Sequence, residues 1–98
     1  MKNINFLFPI DGDVLMPNDG TLTENGLSVR VSLSAPEGWS VTVNDMKADM
    51  VCSLGDGSAK YEVTLCINRY RNALTAKASQ NNEVLDKVIF VYRFKNRI

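Results

Sequence analysis

The sequence predicts an all-β fold in which about seven antiparallel strands form a two-sheet sandwich. Apolar residues alternate with polar ones through most of the chain, which is the period of a half-buried strand. Turn-forming clusters of glycine, proline, asparagine and aspartate separate these runs at intervals of roughly 8 to 12 residues. No segment of useful length shows a helical period. Two layers of such strands bury their apolar faces against each other, so a sandwich is the expected architecture.

Each predicted strand is an alternating run between two turn signals. The runs are 4–8, 27–33, 39–43, 46–52, 61–65, 74–78 and 87–94. The run 27–33 is the clearest, because four aliphatic residues alternate there with serine and arginine. The last run, KVIFVYRF, is β-branched or aromatic on both faces. No linker or repeat divides the chain, so we expect residues 1–98 to form a single domain.

Composition excludes several classes of function. Eleven lysine and arginine residues balance eleven aspartate and glutamate residues, so no net charge attracts nucleic acid or an anionic membrane. The chain has no histidine, which is the commonest general base and metal ligand. No apolar run approaches the roughly 20 residues that span a bilayer. We therefore expect no enzymatic activity, no cofactor or metal, no nucleic-acid binding and no membrane insertion.

The first ten residues, MKNINFLFPI, are typical of a strand rather than of a signal peptide. Asparagines interrupt the apolar stretch, and no small-residue cleavage site follows it. If Met1 is the native start, we expect a cytoplasmic domain. If the chain is a fragment of a secreted protein, we expect an extracellular or cell-surface location.

The stretch PIDGDVLMPNDG, residues 9–20, is compatible with three roles. A calcium site would use Asp11, Asp13 and Asp19, but leucine and methionine stand where an EF-hand loop needs further oxygen ligands and glycine. A phosphate-binding loop would need a glycine spacing, a lysine and a following helix that are missing here. Asp-Gly and Asn-Asp-Gly accept the left-handed conformations of tight turns. We therefore interpret the stretch as a connection between two strands.

The cysteines Cys52 and Cys66 are too few for a disulfide framework. They are either free buried thiols or a single bridge. A true immunoglobulin domain has one cysteine before its buried tryptophan and one after it, whereas Trp39 precedes both cysteines. The predicted sandwich is therefore immunoglobulin-like, without the inter-sheet disulfide pattern.

Four residues are candidates for contact with a ligand. They are Trp39, Tyr61, Arg69 and Tyr70. Trp39 lies on the same face of its predicted strand as Val41 and Val43, which favours a core position over a sugar-stacking platform. The Arg-Tyr-Arg cluster at 69–71 would contact a sugar or a phosphate, but precedent favours a corner in which the Tyr70 hydroxyl bonds to backbone. In the same turn we expect the Asn72 side chain to bond to backbone.

Several motifs resemble a family of bacterial immunoglobulin-like accessory domains that includes the B domain of glucodextranase. They are an opening P-x-x-G, a V-x-V-N hairpin, a following strand that begins with tyrosine, and N-x-L-x-A in the next strand. The matching residues are Pro9, Gly12, Val41, Val43, Asn44, Tyr61, Leu65, Asn72, Leu74 and Ala76. Asp45 and Tyr70 stand where the family usually has glycine.

The resemblance implies a non-catalytic module of a larger bacterial protein, typically a carbohydrate-active enzyme, that packs against or spaces the catalytic domain. It implies no catalytic residues. The neighbouring domain of the parent protein is then the expected partner. The alternative is a carbohydrate-binding module that contacts a polysaccharide through exposed aromatic residues.

The last strand suggests where a neighbouring domain would dock. Ile89 and Val91 lie on the face opposite to Val88, Phe90 and Tyr92, so both faces are apolar. Leu7, between Phe6 and Phe8, likewise makes both faces of the first strand apolar. The first and last strands of such sandwiches often run side by side. We therefore predict that Leu7, Ile89 and Val91 form an exposed apolar patch that contacts another domain.

Overall fold

The computed structural model describes residues 2–93, which form ten strands and one short 3-10 turn. The strands are β1 (Asn5–Phe8), β2 (Val14–Leu15), β3 (Thr21–Thr23), β4 (Gly26–Pro36), β5 (Ser40–Val43), β6 (Met46–Lys47), β7 (Asp49–Ser53), β8 (Ser58–Ile67), β9 (Arg71–Gln80) and β10 (Glu83–Arg93). The 3-10 turn, Pro17–Asp19, lies between β2 and β3. All seven predicted runs contain strands, and position 94 of the last run lies outside the described residues. The two strands that the alternation did not predict, β2 and β3, are too short to show a period.

The strands form two sheets of five, which confirms the predicted all-β sandwich. The first sheet has the order β1-β4-β8-β7, with β3 also paired to β4. The second has the order β2-β10-β9-β5-β6. Every pair is antiparallel except β2 with β10, which is parallel. The first and last strands do not run side by side, because β1 pairs with β4 in one sheet while β10 lies in the other.

The core lies between the two sheets and is built from alternate residues of the long strands. β4 contributes its odd-numbered residues from Leu27 to Leu33, and β9 contributes Leu74 and two alanines. Each fully buried valine or leucine side chain stabilises the fold by about 1.5–3 kcal/mol. The polar residues of the same strands face outward, which is the arrangement that the alternation predicts.

The predicted run 46–52 is divided between the two sheets. β6 pairs with β5 in the second sheet, and β7 pairs with β8 in the first. Ala48 stands between them with its side chain buried, and its N–H donates to the carbonyl of Val41 at 2.8 Å. Because the Ala48 side chain is small, the chain can pass here from the second sheet to the first and cover one side of the core.

The stretch at residues 9–20 is held by turn hydrogen bonds, but it also contains β2 and the 3-10 turn, so it is more than a connection. The predicted left-handed conformation is found at Gly12, with a φ of 88°, whereas Gly20 is extended. The carboxylates of Asp13 and Asp19 accept hydrogen bonds from the backbone N–H three residues before them, at 2.9 and 2.8 Å. The Asp11 carboxylate accepts one from the N–H of Phe90 at 2.8 Å. The Gly12 N–H in turn donates to the Phe90 carbonyl at 2.8 Å. These last two bonds attach residues 11 and 12 to the edge of β10.

These bonds lead to a prediction about calcium. Because each of the three carboxylates already holds a backbone N–H in place, added calcium is expected to leave the melting temperature unchanged. A site occupied at a hundred times its dissociation constant would add about 2.7 kcal/mol of stability. Thermal melts with calcium and with a chelator give the comparison, and a rise in melting temperature with calcium would restore the calcium interpretation.

The two cysteines are free, but they are exposed rather than buried. Cys66 lies on the outward face of β8 opposite Ser28, and Cys52 lies on the edge strand β7. The expectation of buried thiols is therefore wrong. Within residues 2–93, no helix has the length and apolar character needed to cross a membrane.

Candidate interaction surface

The predicted docking patch does not exist on the surface. Ile89 and Val91 are buried in the core, with 2% and 0% of their surface exposed, whereas Leu7 is 46% exposed. Leu7 also lies on β1 in the other sheet. The prediction is wrong because β10 pairs with β9 so that Ile89 stands opposite Leu74, whose side chain points into the core.

Two of the four candidate ligand contacts are also core residues. Trp39 and Tyr61 are 7% and 2% exposed. The Tyr61 hydroxyl donates to the carbonyl oxygen of Pro36 at 2.8 Å and lies 3.3 Å from that of Trp39. Tyr61 therefore makes the kind of tyrosine-to-backbone bond that we expected of Tyr70. Both rings therefore pack mainly inside the sandwich, and only a small part of either is left at the surface.

The other two candidates, Arg69 and Tyr70, are exposed. Tyr70 has 64% of its surface exposed, and its ring packs against the ring of Tyr92 with centroids 5.7 Å apart and planes tilted by 60°. Among residues 2–93, its hydroxyl donates no hydrogen bond to the backbone. The corner interpretation of Tyr70 is therefore wrong, and the residue is available for contact.

The turn that carries Tyr70 is closed by Asn72, as predicted. The Asn72 side-chain amide donates to the carbonyl oxygen of Arg69 at 2.9 Å. The backbone N–H of Arg93 donates to the carbonyl of Tyr70 at 2.9 Å, which ties the same turn to the end of β10. These two bonds fix the position of the turn beside the last strand.

Replacing Asn72 with alanine removes the first of these bonds. We expect the free energy of unfolding to fall by about 1 kcal/mol, the usual net contribution of one hydrogen bond. Urea unfolding monitored by the fluorescence of the single tryptophan measures it. An unchanged urea midpoint would show that the Asn72 bond contributes nothing.

The outer face of the second sheet is the surface that the sequence did not reveal. Even-numbered residues of β10 point outward, and Val84, Val88 and Phe90 are 63%, 49% and 36% exposed. Tyr92 continues the row and pairs with Val14 of β2, which is 54% exposed. By contrast, β4 and β8 in the first sheet present polar residues outward. These are Ser28, Arg30, Ser32, Ser34, Lys60, Glu62, Thr64 and Cys66.

The aromatic end of this face consists of Tyr70, Phe90 and Tyr92, which we call the aromatic strip. Arg71 stands opposite Tyr92 on β9, and the centre of its guanidinium group lies 4.4 Å from the centroid of the Phe90 ring. This contact is a cation–π interaction that orients the guanidinium group over the strip. Ala73 stands opposite Phe90, and its small side chain leaves the space beside the Phe90 ring open.

A shallow depression of about 260 Å³ adjoins the aromatic strip. Arg69, Arg71, Asn44 and Asn72 contribute to its lining. Asn44 is fixed there, because its side chain donates to the Ala73 carbonyl at 3.2 Å and accepts from the Thr75 N–H at 2.8 Å. Arg71 belongs to both features, since it lines the depression and also covers Phe90.

The guanidinium groups in this region have no acidic partner among the described residues. Within residues 2–93, the ion pairs are Lys2 with Glu83 and Lys60 with Glu62, and neither involves Arg69 or Arg71. An exposed cation with no carboxylate within 4 Å keeps its hydrogen-bond donors for a ligand. The exposed Tyr70 ring can therefore cover an apolar surface of a ligand, and the guanidinium groups can hold an anion.

No protein-family model matches the sequence, and no curated protein matches it significantly. The fold is similar to part of the endo-β-1,4-mannanase from Thermotoga petrophila, with a TM-score of 0.62 and 17% sequence identity. The similarity covers 98% of this chain and 20% of the mannanase, so the chain spans about one fifth of that protein's length. This likeness supports the sandwich fold. The relation to the B domain of glucodextranase stays a prediction.

Proposed function

We propose that the chain is a non-catalytic accessory module of a larger bacterial carbohydrate-active protein and that it contacts polysaccharide through the aromatic strip. The observation that carries this proposal is the cluster of Tyr70, Phe90 and Tyr92 at one end of the outer face of the second sheet, where Tyr70 and Phe90 are exposed and Tyr92 is half-buried. Likeness to part of a mannanase is consistent with such a module. The lack of histidine supports a role without catalysis.

Sugar binding by such a strip has a simple physical basis. The face of a pyranose ring is made of C–H groups, which are apolar, while its edge is made of hydroxyl groups. A tyrosine ring offers a flat apolar surface with a polar tip, so it can cover the sugar face while its hydroxyl bonds to the sugar edge or to water. Binding of the module would keep an attached catalytic domain close to its insoluble substrate, which raises the effective substrate concentration.

The same face supports a second candidate function, which is packing against a neighbouring domain. Val14, Val84 and Val88 are aliphatic and more than 45% exposed. An exposed apolar surface of this kind is typical of a contact between domains. This candidate places the contact on the aliphatic part of the second sheet, instead of on the predicted patch of Leu7, Ile89 and Val91.

Affinity gel electrophoresis separates the two candidates. The chain is run through gels that contain β-mannan, β-glucan, polygalacturonate or alginate, with a gel that lacks polysaccharide as reference. We expect at least one polysaccharide to slow the chain, and we expect Tyr70→Ala to abolish the effect. Val84→Ala, at the far end of β10, is the matched control and is expected to be slowed like the unmodified chain. Equal mobility in all gels would contradict the proposed function and favour domain packing.

A further inference from the structure

Arg71 connects the aromatic strip with the depression beside it. Arg71 covers Phe90 with its guanidinium group 4.4 Å from the ring centroid and also lines the depression together with Arg69. Both side chains are exposed, and among residues 2–93 neither has a carboxylate within 4 Å. Two cations thus lie next to the aromatic strip, where the nearby Asp11 carboxylate already accepts a hydrogen bond from the Phe90 N–H, although the chain as a whole has no net charge.

We propose that this surface binds acidic polysaccharides, in which the sugar rings carry carboxylate groups, in preference to neutral ones. The inference rests on the proposed function, because it names the class of polysaccharide that the same site takes. Tyr70 and Tyr92 cover the ring faces, while Arg69 and Arg71 hold the carboxylate of a uronic acid unit.

Arginine fits this role for a geometric reason. A guanidinium group presents two parallel N–H donors that match the two oxygens of a carboxylate, and such bidentate bonds are about twice as strong as neutral ones. The cation–π contact with Phe90 holds the Arg71 group in place, so less conformational freedom is lost when the ligand binds. Asn44 and Asn72 close the depression, and their amides are fixed by backbone bonds.

The repeating structure of the ligand also fits the surface. In an acidic polysaccharide, carboxylates recur along the chain, so one unit can place its carboxylate in the depression while adjacent rings lie on the aromatic strip. A neutral polysaccharide would gain the stacking but would leave both guanidinium groups without an anion. Preference for the acidic polymer therefore arises from the arginines and not from the rings.

Isothermal titration calorimetry with trigalacturonate and mannotriose tests the inference. We expect trigalacturonate to bind at least tenfold more tightly than mannotriose, and we expect its affinity to fall as the salt concentration rises. Arg71→Gln is expected to weaken trigalacturonate binding roughly tenfold, in line with the loss of a charge-assisted bond, and so to remove most of the difference between the two trisaccharides. Arg30→Gln, an exposed arginine on the outer face of the first sheet, is the matched control and is expected to change neither affinity.

The outcomes separate this inference from the proposed function. Equal affinity for the two trisaccharides would overturn the preference for acidic sugars while supporting polysaccharide contact. Binding of neither would overturn both. Dextran sulfate, which carries negative charge without carboxylates, provides the last comparison. If Arg71→Gln weakens dextran sulfate and trigalacturonate binding alike and Tyr70→Ala weakens neither, attraction of charge alone explains the result and the inference fails.

Discussion

Replacing Ile89 with alanine is expected to lower the free energy of unfolding by about 2–5 kcal/mol. The Ile89 side chain is only 2% exposed and stands opposite Leu74 in the core, so its truncation leaves a cavity between the sheets. This loss is a large fraction of the total stability of a small domain, which is typically about 5–15 kcal/mol. Urea unfolding of the purified variant measures it.

The neighbouring residue supplies the control. Val88 is 49% exposed on the opposite face of the same strand, so Val88→Ala is expected to change the free energy of unfolding by no more than about 0.5 kcal/mol. The two variants together test which face of β10 is buried. A larger loss for Val88→Ala would mean that the strand faces the other way, and equal losses would mean that the two faces are buried to the same extent.

Tyr61→Phe is expected to cost about 1–3 kcal/mol, because it leaves buried carbonyl groups without their donor. The Tyr61 hydroxyl, inside the core, donates to the carbonyl of Pro36 at 2.8 Å and lies 3.3 Å from that of Trp39. This bond joins β8 to the turn that leads from β4 to β5. Tyr92→Phe removes a hydroxyl from the half-buried outer ring and is expected to have little effect on the urea midpoint. If the two variants unfold at the same urea concentration, the buried hydroxyl contributes no stability.

The strands were predictable from the sequence because a half-buried strand leaves a clear period of two. β4 shows this best, since its aliphatic residues and its serines separate completely onto two faces. The strands that were missed, β2 and β3, have two and three residues. Alternation cannot be recognised over such lengths, and their positions are fixed by the backbone bonds that they make with longer strands.

The buried face of β10 was mispredicted because period two gives two faces without saying which one is inside. Both faces of this strand are apolar, so composition could not decide. The deciding signal was the two-residue turn at Asn81–Asn82, in which Asn81 has a φ of 54°. A two-residue hairpin fixes the register, and this register pairs Ile89 with Leu74. Through this register, the clear alternation of β9 places Ile89 and Val91 of β10 on the inner face.

The candidate site was partly visible in the sequence. The Arg-Tyr-Arg cluster at 69–71 was recognised as a possible contact, and the Asn72 bond that closes its turn was predicted correctly. Phe90 and Tyr92 were not predicted as site residues, because the sequence analysis assigned the exposed face of β10 to Ile89 and Val91. The sequence also gave no sign that Arg71 covers Phe90, since the two residues are brought together only by the pairing of β9 with β10.

The central claim is that polysaccharide contacts the outer face of the second sheet at the aromatic strip. The most direct test is a titration of the ¹⁵N-labelled chain with trigalacturonate and with mannotriose, followed by two-dimensional NMR. We expect chemical-shift changes to cluster at residues 69–73 and at Phe90 and Tyr92, while Arg30 and Thr64 on the outer face of the first sheet stay unchanged. Spectra that stay the same with both sugars, or changes centred on the first sheet, would contradict the claim.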